Sequence, residues 1–141
     1  KDFYKKQARR APFEAALAKS KNPVCYNGDL NTVEDIRTFE QRFPTVDAVM
    51  IGRGLIADPG MLTPSGTQIA ALEAFLNALL ECYLSAFGGG RNAMFRLKEN
   101  WHMLIAHFEN SEKLWKRLRK TTDLQEFRSI TAEIFHTLQW K

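Results

Sequence analysis

Cysteine is scarce in these 141 residues: only Cys25 and Cys82 are present. Two are too few for a disulfide framework, and neither stands in a CxxC pair or in a Cys/His cluster with metal spacing. Both are expected to be reduced and buried, because an unreactive thiol behaves as a small hydrophobe. No unbroken apolar run approaches the roughly 18 residues of a membrane helix, and the basic first residues lack the apolar centre of a signal peptide. A cytoplasmic location with no membrane partner is therefore expected. The nucleotide fingerprints GxGxxG and GxxxxGK[ST] are missing, as is the GxSxG elbow of hydrolases. His102, His107 and His136 have no carboxylate or cysteine at ligand spacing, so they read as structural or surface groups and no metal is expected. Internal repeats and low-complexity tracts are absent too.

What is present suffices for a packed core: 45% of residues are hydrophobic and 11% aromatic, in about one domain's length. The chain opens on Lys1 rather than Met, which reads as a fragment or a trimmed product. The net charge of +4 is uneven. Residues 1–22 carry seven Lys/Arg against two Asp/Glu, residues 23–87 three against eight, residues 88–120 eight against three, and the remainder two against three. A basic block after an acidic one suits either a polyanionic partner or a solvated helix face.

The stretch "RRAPFEAALAKSK" places Pro12 at a helix start and Phe13, Ala16 and Leu17 at helical spacing, with Pro23 as the stop. "VCY" reads as a short strand. "NTVEDIRTFEQRF" reads as a helix capped by Asn31 or Thr32, with Ile36, Phe39 and Phe43 on one face and Pro44 ending it. "DAVMIG" lacks alternation, the pattern of a strand covered on both faces in a parallel sheet. These make a β-α-β unit, and the distance from Pro23 to Gly54 matches a right-handed parallel crossover. Downstream of "DPGMLTPSG" every pattern is helical, so a boundary is expected near residues 60–66. "TQIAALEAFLNALLECYLSAF" aligns Ile69, Leu72, Leu76, Leu79, Leu80, Tyr83 and Phe87 on one face and ends at Gly88, Gly89 and Gly90. "RNAMFRLKENWHMLIAHF" aligns Met94, Leu97, Trp101, Leu104 and Phe108. "SEKLWKRLRK" follows, and "DLQEFRSITAEIFHTLQW" brings Leu124, Phe127, Ile134 and Leu138 into register. Four amphipathic helices with short connections imply a small antiparallel bundle.

Both expected strands end in glycine-bearing turns, Asn27-Gly28-Asp29 and Gly52-Arg53-Gly54, on the face where parallel α/β sheets bind ligands. Gly28, Gly52 and Gly54 would let backbone amides approach a phosphate, and the Arg53 guanidinium could hold it with a charged, forked donor. As a pair, the turns resemble the phosphate site that (β/α)₈ barrels build from their last two strands. The alternatives are an ordinary turn for NGD and a surface arginine for GRG.

"PVCYNGDLNTVEDI" followed by "VDAVMIGRGLIADPGML" resembles the C-terminal part of the tRNA-dihydrouridine synthase family, over residues 1 to about 62. "DFYKK" near the start fits the segment preceding this strand in that family, and "FRLKENWHML" is similar to its basic, aromatic helix. The resemblance implies an α/β part, the C-terminal β-α-β portion of an FMN-binding (β/α)₈ TIM barrel (residues 1–62), followed by an all-α bundle that binds tRNA (residues 63–141). It implies a flavoprotein in which FMN, reduced by NADPH, passes hydride to C6 of a tRNA uridine while a cysteine protonates C5. Asn27, Gly28 and Asp29 would line the FMN site, and Gly52 and Arg53 would bind its phosphate. The family's catalytic cysteine lies in an Asn-x-Gly-Cys-Pro-like loop that these residues lack, and Cys25, inside a strand with no Lys, Arg or His beside it, is not that residue. No catalytic residue is therefore expected here, and the piece alone should be inactive, bind flavin poorly and self-associate through its open strand edges.

In the helix from Arg91 to Phe108, a 100° step brings Arg91, Lys98 and His102 within about a 40° arc. With Lys113, Lys116, Arg117, Arg119 and Lys120 from the next helix, they form a surface able to neutralise several phosphates. Trp101 and Trp115 could stack on bases, but Trp101 sits centrally on the apolar face, as core residues do. Two rival readings stand beside this one: another phosphate-binding flavin TIM-barrel oxidoreductase, which has no need of a basic tail, and a non-catalytic helical RNA-binding module.

Overall fold

A computed structural model describes residues 10–141, so the "DFYKK" stretch at residues 2–6 lies outside the described residues. The fold is mostly helical, and the chain divides into two compact units, one up to Leu55 and one from Ile56 to Lys141.

In the first unit, α1 (Arg10–Leu17) precedes β1 (Cys25–Tyr26), α2 (Val33–Arg42) and β2 (Ala48–Val49). The strands pair in parallel, Cys25 opposite Ala48 and Tyr26 opposite Val49. The ladder extends at both ends, the Asp47 and Met50 amides donating to the Val24 and Tyr26 carbonyls. This is the β-α-β order read from the sequence. α2 starts at Thr32, whose hydroxyl accepts from the Asp35 amide while the Asp35 carboxylate accepts from the Thr32 amide. That reciprocal pair satisfies two of the amides a helix start leaves unpaired. Its apolar face delivers Ile36 and Phe39, with Phe43 at the C-cap, into a small aromatic core. The Phe39 ring stacks on Tyr26 at 4.1 Å, and Phe13 of α1 meets Tyr26 edge-on at 4.7 Å.

Three expectations for this unit fail. The first helix ends at Leu17 instead of running to Pro23, and Ser20 and Asn22 bond each other in the connection. β2 spans two residues and is not covered on both faces: Ala48 is exposed and Met50 is 55% exposed. Cys25 is exposed instead of buried. The last two share a cause, since two parallel strands offer an apolar face that one helical layer cannot cover on both sides.

A five-residue helix, α3 (Arg53–Ala57), follows β2 where the sequence suggested only a turn. The second unit is built on α4 (Ile69–Phe87), α5 (Gly90–Leu104) with a 3-10 turn at Ile105–His107, α6 (Glu112–Lys120) and α7 (Leu124–Thr137). α4 stops at Gly88, whose φ of 62° is left-handed and easy only for glycine. Gly89 then caps α5, so the two helices form a hairpin. α4 packs on α5, α5 on α7 and α6 on α7 around one core. Leu72, Leu76, Leu80, Met94, Leu97, Trp101, Leu118, Phe127, Ile130 and Ile134 are all buried in it. The periodicity predicted these faces, with two exceptions: Phe87 is exposed, and Cys82 is exposed rather than buried. α4 is long and apolar enough to cross a membrane by length and composition. Its Leu face nevertheless fills this core, and its Glu73 and Glu81 pair with His136 and Arg128 of α7. The chain end closes against the 3-10 turn: Glu109 and Lys141 amides bond the Gln139 and His107 carbonyls, and the His107 ring stacks on Trp140.

Candidate cofactor and nucleic-acid sites

Parallel pairing brings both glycine-bearing turns to the same end of the two strands. The Arg53 guanidinium donates to the Asp29 carboxylate at 2.7 Å, and the Asn27 amide nitrogen lies 3.3 Å from the Met50 sulfur. Asn27, Gly28, Asp29, Gly52, Arg53 and Gly54 therefore form one corner. The residue in the left-handed region is Asp29, at φ 47°, not Gly28; aspartate tolerates that region better than most residues.

The glycines have different surroundings. A Cβ on Gly52 would meet nothing within 4 Å, so that backbone faces open space. A Cβ on Gly54 would lie 2.9 Å from both the Asn31 Cα and the Leu30 carbonyl oxygen. Gly54 is buried and lets the backbones of the two turns touch, a packing role that the sequence reading did not assign to it. Among the described residues, no backbone hydrogen bond is donated by the Gly28 or Gly52 amide. The forked Arg53 cation, held on one side by the Asp29 carboxylate, stands next to the open side of the Gly52 backbone, and a guanidinium beside backbone amides is a donor set suited to phosphoryl oxygens.

The basic face of the second unit is less uniform than its sequence suggested. Lys98 is half-buried, and its ammonium donates to the Thr121 and Arg119 carbonyls at the end of α6. Desolvation lowers its pKa from the ordinary lysine value, with the Glu126 charge acting in the opposite direction. Lys98 thus ties α5 to α6. Arg117 pairs with Glu133 of α7 at 3.0 Å. Arg91, His102, Lys116 and Lys120 are exposed, and the His102 ring lies 5.8 Å from that of Trp115. Trp101 is core, as its place on the stripe indicated, with its indole N–H buried and unpaired among the described residues. Phe95 was passed over because it falls off the apolar stripe. It is 49% exposed and has the Arg91 guanidinium 5.7 Å and the Lys98 ammonium 5.4 Å from its ring centre. The available signal was its place four residues after one cation and three before another. Among the described residues no three His, Cys, Asp or Glu side chains cluster as metal ligands would.

A family model described as dihydrouridine synthase matches residues 15–140. The tRNA-dihydrouridine(16) synthase of Neisseria meningitidis is 26% identical over 124 residues, covering 79% of this chain and 36% of the relative. The chain thus spans about a third of that relative's length.

Proposed function

The chain belongs to the dihydrouridine synthase family, and from that membership we propose that it is the cofactor-phosphate and RNA-binding end of a cytoplasmic flavoenzyme that reduces uridine to dihydrouridine in tRNA with NADPH. In this reading, residues 1–62 are the end of a (β/α)₈ TIM barrel and residues 63–141 a helical tRNA-binding domain. Its tRNA-dihydrouridine(16) synthase relative supports the substrate class. The observation that carries the cofactor assignment is the single corner formed by the two turns and joined by Arg53 and Asp29.

FMN, when bound, would supply the hydride delivered to C6 of the uracil ring. The chain's own part is positional. The open Gly52 backbone and the Arg53 guanidinium would hold the FMN phosphate, with Asn27, Gly28 and Asp29 beside it. The Asp29 carboxylate fixes the guanidinium plane and so sets the direction in which its charge is presented. Gly54 keeps the turns in contact. Proton delivery to C5 belongs to a cysteine outside these residues; Cys25 precedes the corner, on the strand itself. Arg91, Lys98, His102, Lys116, Arg117 and Lys120 form the proposed RNA face, in which Lys98 and Arg117 shape the surface through their bonds to α6 and α7.

The test is a visible absorbance spectrum of the full-length protein together with dihydrouridine formation in a tRNA transcript. Flavin bands and NADPH-dependent conversion are expected, and Arg53→Ala should lower flavin occupancy without unfolding the protein. A colourless protein that converts no uridine overturns the proposal. The 141 residues alone should retain little flavin, lack activity and self-associate through the open strand edges, which light scattering after size exclusion would reveal; a strictly monomeric species would contradict the last point.

A further inference from the structure

We propose that Phe95 is a stacking platform for an unpaired RNA base, with Arg91 holding an adjacent phosphate. The proposal rests on the tRNA reading above and adds a site to it.

Isolated exposed aromatics are ordinary on protein surfaces. Phe75 and Phe87 of α4 are examples, and among the described residues the cations seen over rings lie at Phe43 and Phe95 instead. Phe95 differs because two cations converge on it, from Arg91 one turn before and Lys98 one turn after. Lys98 is held in place by the Thr121 and Arg119 carbonyls, so its contact with the ring is anchored by α6 rather than left to a mobile side chain. The same ammonium thus contacts both the Phe95 ring and the end of α6, a helix whose Arg119 and Lys120 are exposed. Arg91 makes no hydrogen bond or ion pair among the described residues, and its charge remains to be met.

The occupant must offer an aromatic or apolar face to the ring and negative charge to the cations. A nucleotide carries both, within one repeat of its chain, and aromatic side chains beside basic grooves bind single-stranded nucleic acid in this way. An acidic peptide would satisfy Arg91 and leave the ring wet. A fully paired helix keeps its base faces stacked inside and would touch only the cations. The excess of basic over acidic residues between 88 and 120 favours a polyanion over an apolar partner.

The experiment measures binding of a labelled tRNA transcript to the chain by fluorescence anisotropy across a salt series, for the wild type, Phe95→Leu, Phe95→Trp and Arg91→Ala. Leucine is a good helix former, and matching circular dichroism would show that α5 is intact. Phe95→Leu should weaken binding about tenfold with the salt slope unchanged, since base stacking is sequence-tolerant and uncharged. Phe95→Trp should bind at least as tightly as the wild type, and Arg91→Ala should reduce the slope by about one. Wild-type binding with Phe95→Leu within twofold of it overturns the platform and leaves the tRNA reading intact. Absence of wild-type binding at low salt overturns both.

Discussion

The Arg53 guanidinium lies 2.7 Å from the Asp29 carboxylate and joins the two turns that follow β1 and β2. The Asp29 backbone is left-handed, so this position asks two things of its residue: a carboxylate, and tolerance of positive φ. The substitutions separate them. Asp29→Asn keeps the tolerance and loses the charge; a partly exposed pair of this kind contributes about 0.5 kcal/mol. Asp29→Ala loses both and should cost about 1 kcal/mol more, the penalty of a Cβ-bearing residue with no local polar bond in that region. Urea denaturation of the three proteins checks the order; equal loss for Asn and Ala would show that backbone conformation contributes nothing.

Lysines on the basic face should sort by burial. Lys98 satisfies carbonyls at the end of α6, and Lys98→Ala leaves them without that donor, lowering stability by about 1 kcal/mol. Lys116 and Lys120 are exposed, so Lys116→Ala and Lys120→Ala should leave melting within about 0.5 kcal/mol of wild type while each reduces the salt slope of tRNA binding by about one. Thermal melts paired with salt-dependent binding separate the two classes. A wild-type melting curve for Lys98→Ala would contradict the structural role.

Acid should loosen the first unit through Asp35. Burial works to raise its pKa, but the Thr32 hydroxyl, the Asn31 and Thr32 amides and the Arg10 charge together lower it below the ordinary carboxylate value. A lowered pKa in the fold means that the unfolded chain takes up the proton first. The stabilisation is then complete above about pH 4, the unfolded carboxylate range, and disappears as pH falls through the folded value. Asp35→Asn should remove this part of the pH dependence, and Thr32→Ala should cost about 1 kcal/mol at neutral pH. Urea titrations at pH 3 and pH 6, followed by the Tyr26 ring signals in proton NMR, measure both; an unchanged pH difference in Asp35→Asn would refute the assignment.

The helical core was legible because it is local. Leu72, Leu76 and Leu80, or Leu97, Trp101 and Leu104, declare their face through 3.6-residue periodicity alone, and Gly88 and Thr32 mark ends through chemistry that needs no distant partner. The exposure of Cys25, Cys82 and Met50 was not legible, since an apolar residue shows that it could be covered and not whether any layer covers it. The roles of Lys98 and Arg117 depend on carbonyls and carboxylates 16 to 23 residues away, which helix-face arithmetic on one segment cannot register. The pairing of the two turns was readable from parallel β-α-β order. The division of labour between Gly52 and Gly54 was not, because two glycines on either side of one arginine carry the same sequence signal.

Those two glycines give the sharpest test of the proposed cofactor site. Gly54→Ala drives a methyl to within 2.9 Å of backbone atoms of Leu30 and Asn31, which cannot rotate aside as a side chain would. The turns must separate, at a cost of about 1 to 3 kcal/mol. Gly52→Ala meets nothing within 4 Å and should leave stability unchanged. Yet if the open Gly52 backbone receives the FMN phosphate, the added methyl occupies the space the phosphate needs, and flavin should be lost from a fully folded protein. Melting temperature and the flavin-to-protein absorbance ratio of the full-length enzyme therefore move independently in the two variants. A Gly52→Ala protein that melts normally and keeps its flavin would remove the corner from the cofactor site, whatever Gly54→Ala does.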